Sequence, residues 1–561
     1  MNKHLLFYLF LIGMNVNAQP NLAWAKQTGG HSGDIAKDLV TDKWGNVYTT
    51  GIFSDTVDFD PGPGIYNLTA AGNTDIFILK QDASGAFLWA KSLGGNMQDE
   101  ARSITIDSSG NLYLAGSFEG SADFDPGPPA AVLISSGHTD IFISKFDNNG
   151  SLLWVRKAGG RSDDGACSVQ AGPRGSVVVA GMFRDTVDFD PGPGIADLLS
   201  PGYEDAFIMN LNSSGDLTWV KQLHGPADDI GFSIALDAPG NCYITGYFNG
   251  SVDFNPDPGV FNMSSMDEED IFILKLDTAG SFVWARSMGG SLSNMGLSIA
   301  TDPYGNVYTT GMFWGTVDFD PGAGTCSITS PGSFDVFISK LDAAGNFVWA
   351  KAMQGPSVGE GYSIAVDAYS NVFVTGVFWG TVDFDPGVGV YELNPVGNCD
   401  IYILKLDASG NFSWAASMGS TGVDAGYAIS VDGYGNIYLC GMFSNAMDAD
   451  PGSGLFTLTP TGGYDIFIQK LYQGTAAIGE ANAAAAVSVF PNPSPGIFYI
   501  SLPQYEESTI HVYDATGNCV WSAGPQCWGN LQIDLSVQKQ GIYFIEVLTR
   551  KGKSVRKLVL Q

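Results

Sequence analysis

The fold is decided by the stretch ARSITIDSSGNLYLAGSF at residues 101–118, which DIFISKF follows at 140–146 and LLWVRK at 152–157. Alternating β-branched and aromatic residues, bounded by Asp-x-x-Gly turns, predict four antiparallel strands here, with an excursion of about 20 residues after the second. The unit recurs along the chain, and its tryptophans follow one another at intervals of 65 residues. They are Trp24, Trp89, Trp154, Trp219, Trp284, Trp349 and Trp414.

A long fixed period is typical of stacked units that bury their apolar faces against their neighbours. The sequence therefore predicts an all-β chain: a seven-bladed β-propeller of 65-residue blades, followed by a small C-terminal β-sandwich-like domain. The last copy stops after its third strand at 465–471. We expect the tryptophan strand at residues 21–27 to complete the seventh blade and close the ring.

Four segments are predicted: a signal peptide at 1–18, the propeller at 19–472, an Ala-rich linker at 473–486 and a C-terminal domain at 487–561. The first has Lys3 and His4, then an apolar run at 5–14, then the small or short residues Val16 to Ala18. That run is about half of the roughly 20 residues that span a bilayer. We predict an exported chain without a transmembrane segment.

The net charge of −32 argues against a nucleic-acid partner, which requires clustered Lys and Arg. The seven cysteines show no metal-binding spacing. Cys519 and Cys527 alone are close enough in sequence for a local disulfide, and their pairing stays open. The chain is predicted to be a monomer with no certain cofactor.

Aspartates recur in the excursion, which opens with VDFDPG at 57–62, and at the first residue of each third strand. Carboxylates two residues apart beside a turn glycine suit the oxygen ligands of Ca²⁺. The alternative is that they cap turns by binding backbone amides. The candidate calcium ligands are Asp58, Asp60, Asp75, Asp123, Asp125, Asp140, Asp188, Asp190, Asp205, Asp318, Asp320, Asp335, Asp383, Asp385 and Asp400.

No catalytic residue is predicted. His31, His138 and His224 occupy three different positions of the repeat, so no Ser/His/Asp arrangement can be assembled. The recurring inner-strand serines are expected to pack and hydrogen-bond: Ser103, Ser168, Ser233, Ser298 and Ser363. The segment from Asp82 to Trp89 superficially resembles the sialidase Asp box, but its spacing differs and no arginine cluster accompanies it.

Two tryptophans depart from the repeat. Trp314 and Trp379 share one position on adjacent blades, where the other copies have smaller or polar residues. Exposed aromatic side chains beside carboxylates form stacking platforms for sugars, whereas packing under the excursion is the structural alternative. They are the candidate ligand-binding residues.

The pattern Asp-x-x-Gly-Asn-Val-Tyr-x-Thr-Gly, at 42–51 and 302–311, resembles the secreted β-propeller repeat family labelled SBBP. Blade three departs from it at Gly172 and Ser176, and blade six at Ser370. The motifs VFPNPS at 489–494, VYD at 512–514 and GIYF at 541–544 resemble the type A sorting domain of the type IX secretion system. This resemblance implies that residues 487–561 engage the secretion machinery, and that the cargo is then released or attached to surface lipopolysaccharide.

Together these observations predict an exported propeller that is a binding or adhesion module for protein or glycan, rather than an enzyme. One alternative is a polysaccharide-directed hydrolase or lyase that uses Glu268, Glu269 and Glu360 at the excursion face. The other is a purely structural surface protein.

Overall fold

Each copy of the repeat forms a four-stranded antiparallel sheet, here called a blade and numbered one to seven along the chain. The computed structural model describes residues 19–356, 358–473, 488–490, 494–501, 509–514, 519–524, 530–549 and 552–560. The predicted signal peptide, residues 474–486 of the predicted linker, and Cys527 with its predicted pairing to Cys519 lie outside the described residues. The all-β class is confirmed: the described residues form strands and one single-turn 3₁₀ helix, Pro173–Gly175.

The four strands of a blade run from the channel outward in chain order. The inner strands are Ile35–Thr41, Asp99–Ile106, Gly165–Ala171, Ile230–Leu236, Asn294–Thr301, Gly359–Val366 and Ala425–Val431. The second strands are Val47–Phe53, Leu112–Asp123, Val177–Asp188, Cys242–Phe248, Val307–Asp318, Val372–Phe378 and Ile437–Phe443. The third strands are Asp75–Gln81, Val132–Phe146, Asp197–Leu211, Asp270–Leu276, Ser327–Leu341, Asp400–Leu406 and Asp465–Tyr472. The outer strands are Asn21–Thr28, Phe87–Gly95, Leu152–Ala158, Leu217–Leu223, Phe282–Gly290, Phe347–Met353 and Phe412–Met418.

The excursion is more ordered than a loop. In blades two, three and five the second and third strands continue into it as one long hairpin. In the other blades it forms a separate short pair: Thr56–Asp58 with Asn67–Thr69, Ser251–Asp253 with Asn262–Ser264, Val382–Asp383 with Glu392–Leu393, and Met447–Asp448 with Thr457–Leu458. The motif explains this order, because Val57 and Phe59 are buried and the Phe59 ring packs between Phe53 and Phe77.

The N-terminal strand completes blade seven. Asn21–Thr28 pairs antiparallel with the third strand of that blade, and Trp24 lies opposite Lys470. This is the closure that the sequence predicts. Because the first and last copies share one sheet, the two ends of the repeat array are held together without a covalent link.

The tryptophan spacing has a packing cause. The indole of Trp24 lies against Gly85, in the turn between the third and outer strands of the next blade, and its Nε1 donates to the Ala83 carbonyl at 3.1 Å. Gly85 has a φ of +77°, and a Cβ there would lie 2.8 Å from the ring. Trp154 makes the same contacts with Gly215 and the Ser213 carbonyl. An insertion within a copy would separate the ring from its turn, which accounts for the unvarying period.

The buried residues form clusters that are shared between neighbouring blades. One cluster joins Tyr113, Ile141 and Ile143 of blade two to Val177 and Phe207 of blade three. No blade therefore has a core of its own, as expected for a repeat protein.

Residues 476–561 are a separate compact unit. Its strands are Ser488–Phe490, Ile497–Ser501, Thr509–Asp514, Cys519–Ala523, Asn530–Asp534, Gly541–Thr549 and Gly552–Leu560. They form a three-stranded and a four-stranded sheet. Phe498 and Ile533 of the first sheet and Val512 and Ile545 of the second share one buried cluster, as in a β-sandwich.

Candidate functional site: the mouth of the central channel

A β-bulge in every inner strand builds the candidate site. In blade one the pairing with the second strand shifts between Ala36 and Asp38, which leaves Lys37 without a partner across the strand. Gly51 makes the bulge possible, because a Cβ there would lie 2.0 Å from the Ile35 carbonyl oxygen. The same shift occurs in all seven blades. The bulged residues are Lys37, Arg102, Cys167, Phe232, Leu297, Tyr362 and Tyr427.

The seven bulged side chains meet at one end of the central channel. With Glu100, Met312 and Glu360 they line a cavity of about 370 Å³, here called the channel mouth. This volume lies within the about 300–1,000 Å³ of small-ligand sites. The backbone of the mouth repeats in each blade, whereas the seven bulged side chains are of different types except for the tyrosine pair. The mouth is thus a place where a symmetric backbone carries side chains that differ from blade to blade.

One half of the mouth is an ion-pair network across the first three blades. Lys37 Nζ and Arg102 Nε each lie 3.2 Å from the Glu100 carboxylate. Arg102 Nη1 donates to Cys167 Sγ at 3.7 Å. Burial disfavours the charged form of Glu100, but Arg102 and Lys37 outweigh burial and hold its pKa below the ordinary value. Glu100 therefore stays ionised and fixes both cations.

The other half of the mouth is mainly apolar and aromatic, and Glu360 is the charged side chain in its lining. Phe232 and Leu297 lie half-buried beside Met312. The rings of Tyr362 and Tyr427 stack with centroids 5.4 Å apart and an interplanar angle of 20°. Lys37 Nζ lies 5.2 Å from the Tyr427 ring centre, so a cation–π contact joins the two halves.

The arrangement does not supply a nucleophile. Burial raises the pKa of the Cys167 thiol, even though Arg102 opposes this shift. Cys167 is therefore a thiol at neutral pH, and the thiolate is the reactive form of cysteine. Of the three glutamates considered for catalysis, Glu360 lines the mouth, whereas Glu268 and Glu269 lie in the excursion of blade four.

The recurring serines of the inner strands lie deeper in the central channel, where they line a cavity of about 340 Å³. Each serine hydroxyl accepts a hydrogen bond from a backbone N–H of the next inner strand, as Ser103 does from Val169 at 3.3 Å. The equivalent bonds join Ser168 to Ile234, Ser233 to Ile299, Ser298 to Ile364 and Ser363 to Ile429. The recurring serines thus bind one blade to the next.

The aspartates of the excursion motif cap their own turn. Asp58 Oδ1 accepts from the backbone N–H of Asp60 at 3.0 Å and of Tyr66 at 2.8 Å, and Asp60 Oδ1 accepts from Gly62 at 2.8 Å. Equivalent bonds are made by Asp123 and Asp125, Asp188 and Asp190, Asp318 and Asp320, and Asp383 and Asp385. This is the turn-capping alternative to a metal site.

Most of the aspartates predicted at the start of the third strands lie close to a second group of aspartates, which lie at or next to the start of the following inner strand. Asp75 Oδ2 accepts from the Ala71 N–H at 3.0 Å, and Asp75 Oδ1 is buried and has no hydrogen-bond partner among the described residues. Asp75 Oδ1 and Asp99 Oδ2 both lie within 3 Å of the point that a Cβ on Gly94 would occupy. Acids at equivalent positions also approach each other in the pairs Asp140 and Asp164, Asp205 and Asp229, Asp400 and Asp424, and Asp465 and Asp34.

These buried pairs hold protons at unusually high pH. Burial, with added repulsion from Asp75, raises the pKa of Asp99 to about 7 against the pull of its backbone hydrogen bonds. Blade five supplies a neutral counterpart, because Asn294 replaces the second acid and its Nδ2 lies 3.5 Å from Asp270 Oδ1. The amide occupies the place of a protonated carboxyl group.

The candidate calcium ligands are therefore divided between turn caps and buried aspartates of the third strands. Four of these buried aspartates lie close to a second acid, whereas Asp335 is buried and has Gly359 at the equivalent position of the next blade. In the part of the chain that the structure describes, no three His, Cys, Asp or Glu side chains are grouped as metal ligands. A calcium ion usually takes six to eight oxygen ligands, so backbone carbonyl groups or water would have to complete such a site. The calcium sites stay a prediction from the sequence.

Trp314 and Trp379 stay unassigned as ligand-binding residues. Trp314 is 37% exposed and packs on Phe334 of its own blade, with ring centroids 5.6 Å apart. The Trp379 backbone N–H donates to the Val358 carbonyl at 2.8 Å. No contact between the two indole rings occurs among the described residues.

The channel mouth is not among the sites predicted from the sequence, although one inner-strand position varies in a way that indicates it. Aligned by the tryptophan period, the position of Lys37 is the one inner-strand position at which charged, apolar and aromatic residues all occur. The bulge that directs this side chain into the channel is a property of backbone pairing. The repeated residue types alone do not predict it.

The C-terminal unit matches a known protein family that is associated with export. Residues 488–561 match the family described as Secretion system C-terminal sorting domain, which confirms the predicted type IX sorting domain. A protein with this domain is secreted to the cell surface or beyond. No helix within the described residues is long and apolar enough to cross a bilayer.

Two curated proteins and one solved structure are similar to this chain at low sequence identity. The chain is 23% identical to the uncharacterized WD repeat-containing protein L264 of Acanthamoeba polyphaga mimivirus, in an alignment of 515 residues that covers 77% of this chain. It is 27% identical over 177 residues, 32% of its length, to the regulatory protein FlaEY of Caulobacter vibrioides. The chain covers 37% and 18% of these relatives. The solved structure of Sqt1 from Chaetomium thermophilum aligns over 97% of this chain and 100% of that chain, with a TM-score of 0.36 and 10% identity.

Proposed function

We propose that this exported protein is a binding module that captures a peptide segment of an extracellular partner in the channel mouth. The observation that carries the proposal is the asymmetric ring of bulged residues, in which a shared backbone presents seven side chains of differing chemistry. Stability of the repeat does not require different side chains at this position in each blade. A concave site with a few charged groups and many apolar groups is typical of ligand binding.

The two halves of the mouth define the ligand. Lys37 offers an ammonium group and Arg102 a guanidinium group to a carboxylate, and the planar guanidinium favours a bidentate geometry. Phe232, Leu297 and Met312 offer an apolar wall. A peptide that carries an apolar side chain next to an acidic residue or a C-terminal carboxylate satisfies both halves at once.

The experiment is a selection of random phage-displayed peptides on the immobilised full-length protein, followed by calorimetric affinities for the selected peptides. Leu297→Arg places a long cation in the mouth, and Val388→Arg adds the same residue at a fully exposed excursion tip as the matched control. We expect Leu297→Arg to weaken binding at least tenfold and Val388→Arg to leave it unchanged. Equal binding to both variants, or no selected peptide, overturns the proposal.

We also propose that export begins with a signal peptide at residues 1–18 and that the propeller is displayed or released after the sorting domain is removed. A chain truncated before residue 488 should accumulate in the periplasm, whereas the full chain reaches the medium or the cell surface. Equal delivery of both chains would refute the assignment. Cell fractionation with antibodies against the propeller makes this measurement.

A further inference from the structure

Blade three lacks an interaction that the other six blades share. In blade one the ammonium group of Lys80 lies 4.8 Å from the Tyr48 ring centre and donates to the Asn148 carbonyl of the next blade at 2.9 Å. Every other blade also places this lysine over an aromatic ring. Blade three has Val178 and Asn210 at the two positions.

Three further replacements accompany this pair. Gly172, Ser176 and Asn212 stand where most other copies have Asp, Asn and Asp. All five lie at the same end of the blade and line one cavity of about 610 Å³ between blades three and four. The cavity is the space that a tyrosine ring and a lysine side chain fill elsewhere. Random substitutions on a solvent-exposed surface are expected to be scattered, whereas these five replaced residues all line one cavity.

The cavity contains a polar side chain without a protein partner. Asn210 is 9% exposed and lines the cavity, and no hydrogen bond joins its carboxamide to another described residue. Its nitrogen and oxygen are not among the fully buried unpaired atoms, so they face the open space of the cavity. A carboxamide supplies two donors and an acceptor, which match the vicinal hydroxyl groups of a sugar.

The remaining lining fits the same ligand. Val178, Leu236 and Pro239 give an apolar surface for the C–H face of a sugar ring, and Thr218 and Thr278 give hydroxyl groups. Arg174 lies exposed at the rim and is the charged side chain of this lining. Its guanidinium is suited to a bidentate contact with a carboxylate.

We propose that this cavity is a binding site for an anionic sugar residue, of the uronic acid class, within an extracellular polysaccharide. The site is distinct from the channel mouth and independent of the peptide that the mouth takes. Exposed aromatic side chains at the position of Arg174 in four other blades, Trp44, Tyr304, Tyr369 and Tyr434, offer stacking surfaces for further sugar units on the same face.

The test measures glucuronic acid and glucose binding to the full-length protein by ligand-observed NMR. The double variant Val178→Tyr with Asn210→Lys restores the residues of the other blades and fills the cavity. We expect it to weaken glucuronic acid binding at least tenfold without lowering the melting temperature. Arg174→Ala, a change at an exposed side chain, should bring the affinity for glucuronic acid down to that for glucose.

Leu297→Arg at the channel mouth is the control, and it should leave sugar binding unchanged. Failure of glucuronic acid to bind the native protein overturns the proposal. Equal binding of glucuronic acid to the native and the filled protein also overturns it. Neither outcome affects the peptide assignment, because the mouth and the cavity share no residue.

Discussion

Ser103 donates its hydroxyl proton to the carboxylate of Asp38 on the preceding inner strand, with 2.9 Å between Oγ and Oδ2. Asp38 stands at the serine position of blade one, and blade seven has Ala428 there, without a hydroxyl. The Leu39 N–H, which would bind that missing hydroxyl, donates to Asp38 Oδ1 at 2.8 Å instead. One carboxylate thus replaces two serines at the junction where the ring closes.

We expect Asp38→Ala to destabilise the propeller by about 2–4 kcal/mol, because it removes the acceptor for Leu39, Ser103 and Ile104. Ser298→Ala is the matched control, since it removes one acceptor at a junction within the ring. It should cost about 1 kcal/mol. Urea unfolding of both variants gives the comparison. A loss for Asp38→Ala no larger than that for Ser298→Ala would contradict this account of the closure.

The buried acid pairs predict that stability falls as the pH rises. Burial raises the pKa of Asp99 to about 7, whereas an unfolded aspartate titrates near 4. Between these values the folded chain binds more protons than the unfolded chain. The free energy of unfolding therefore decreases with pH, by up to about 1.4 kcal/mol per pH unit for each such proton.

Thermal melts from pH 4.5 to 8 measure this slope. Asp99→Asn copies the natural Asn294 and should reduce the slope while raising the melting temperature at pH 8. Asp534→Asn, at an exposed acid of the C-terminal unit, is the control, and it should leave the propeller transition unchanged. A slope that Asp99→Asn does not alter would show that the acid pair is not its source.

The sequence predicts the fold well because the fold depends on repeated local patterns. Trp154, the Asp-x-x-Gly turns and the alternation in residues 111–118 are sufficient for the blade and for the closing strand. The site is harder to predict, since Lys37 and Phe232 reach the channel through a bulge that no residue type encodes alone. The sequence pattern places Asp75 and Asp99 on the same face of the propeller, but it does not predict their buried contact, because the two residues become neighbours only when the crossover between blades is formed.

Removal of the closing strand should unfold the whole array. Deleting residues 20–30 leaves the third strand of blade seven, Asp465–Tyr472, with an open edge and exposes the cluster that contains Ala25 and Phe467. We expect the cooperative calorimetric transition of the propeller to be lost. Substitution of Trp24 by Phe in the intact chain is a milder control and should only lower the melting temperature. A truncated protein with the native transition would exclude closure by this strand.

The calcium prediction has a direct test. If each excursion holds a calcium ion, EDTA should lower the melting temperature and added calcium should restore it, because a ligand bound to the folded state stabilises it. Asp58→Asn, which keeps one oxygen acceptor for Asp60 and Tyr66, should then weaken the response. A melting temperature that neither reagent changes would leave Asp58 and Asp60 as turn caps alone.

The close approach of glycine and aspartate explains why glycine recurs at the end of the outer strands. A Cβ on Gly159 would lie 2.1 Å from Asp140 Cγ, so Gly159→Ala must displace a buried carboxylate. We expect a loss of about 1–3 kcal/mol, the usual effect of overpacking. Gly433→Ala is the control, because nothing lies within 4 Å of its added methyl group, and it should stay within about 0.5 kcal/mol of the native protein. In the double variant with Asp140→Ala the clash disappears, and the two effects should be clearly non-additive. Additive losses would show that Gly159 is required for its backbone conformation rather than for the space it leaves to Asp140.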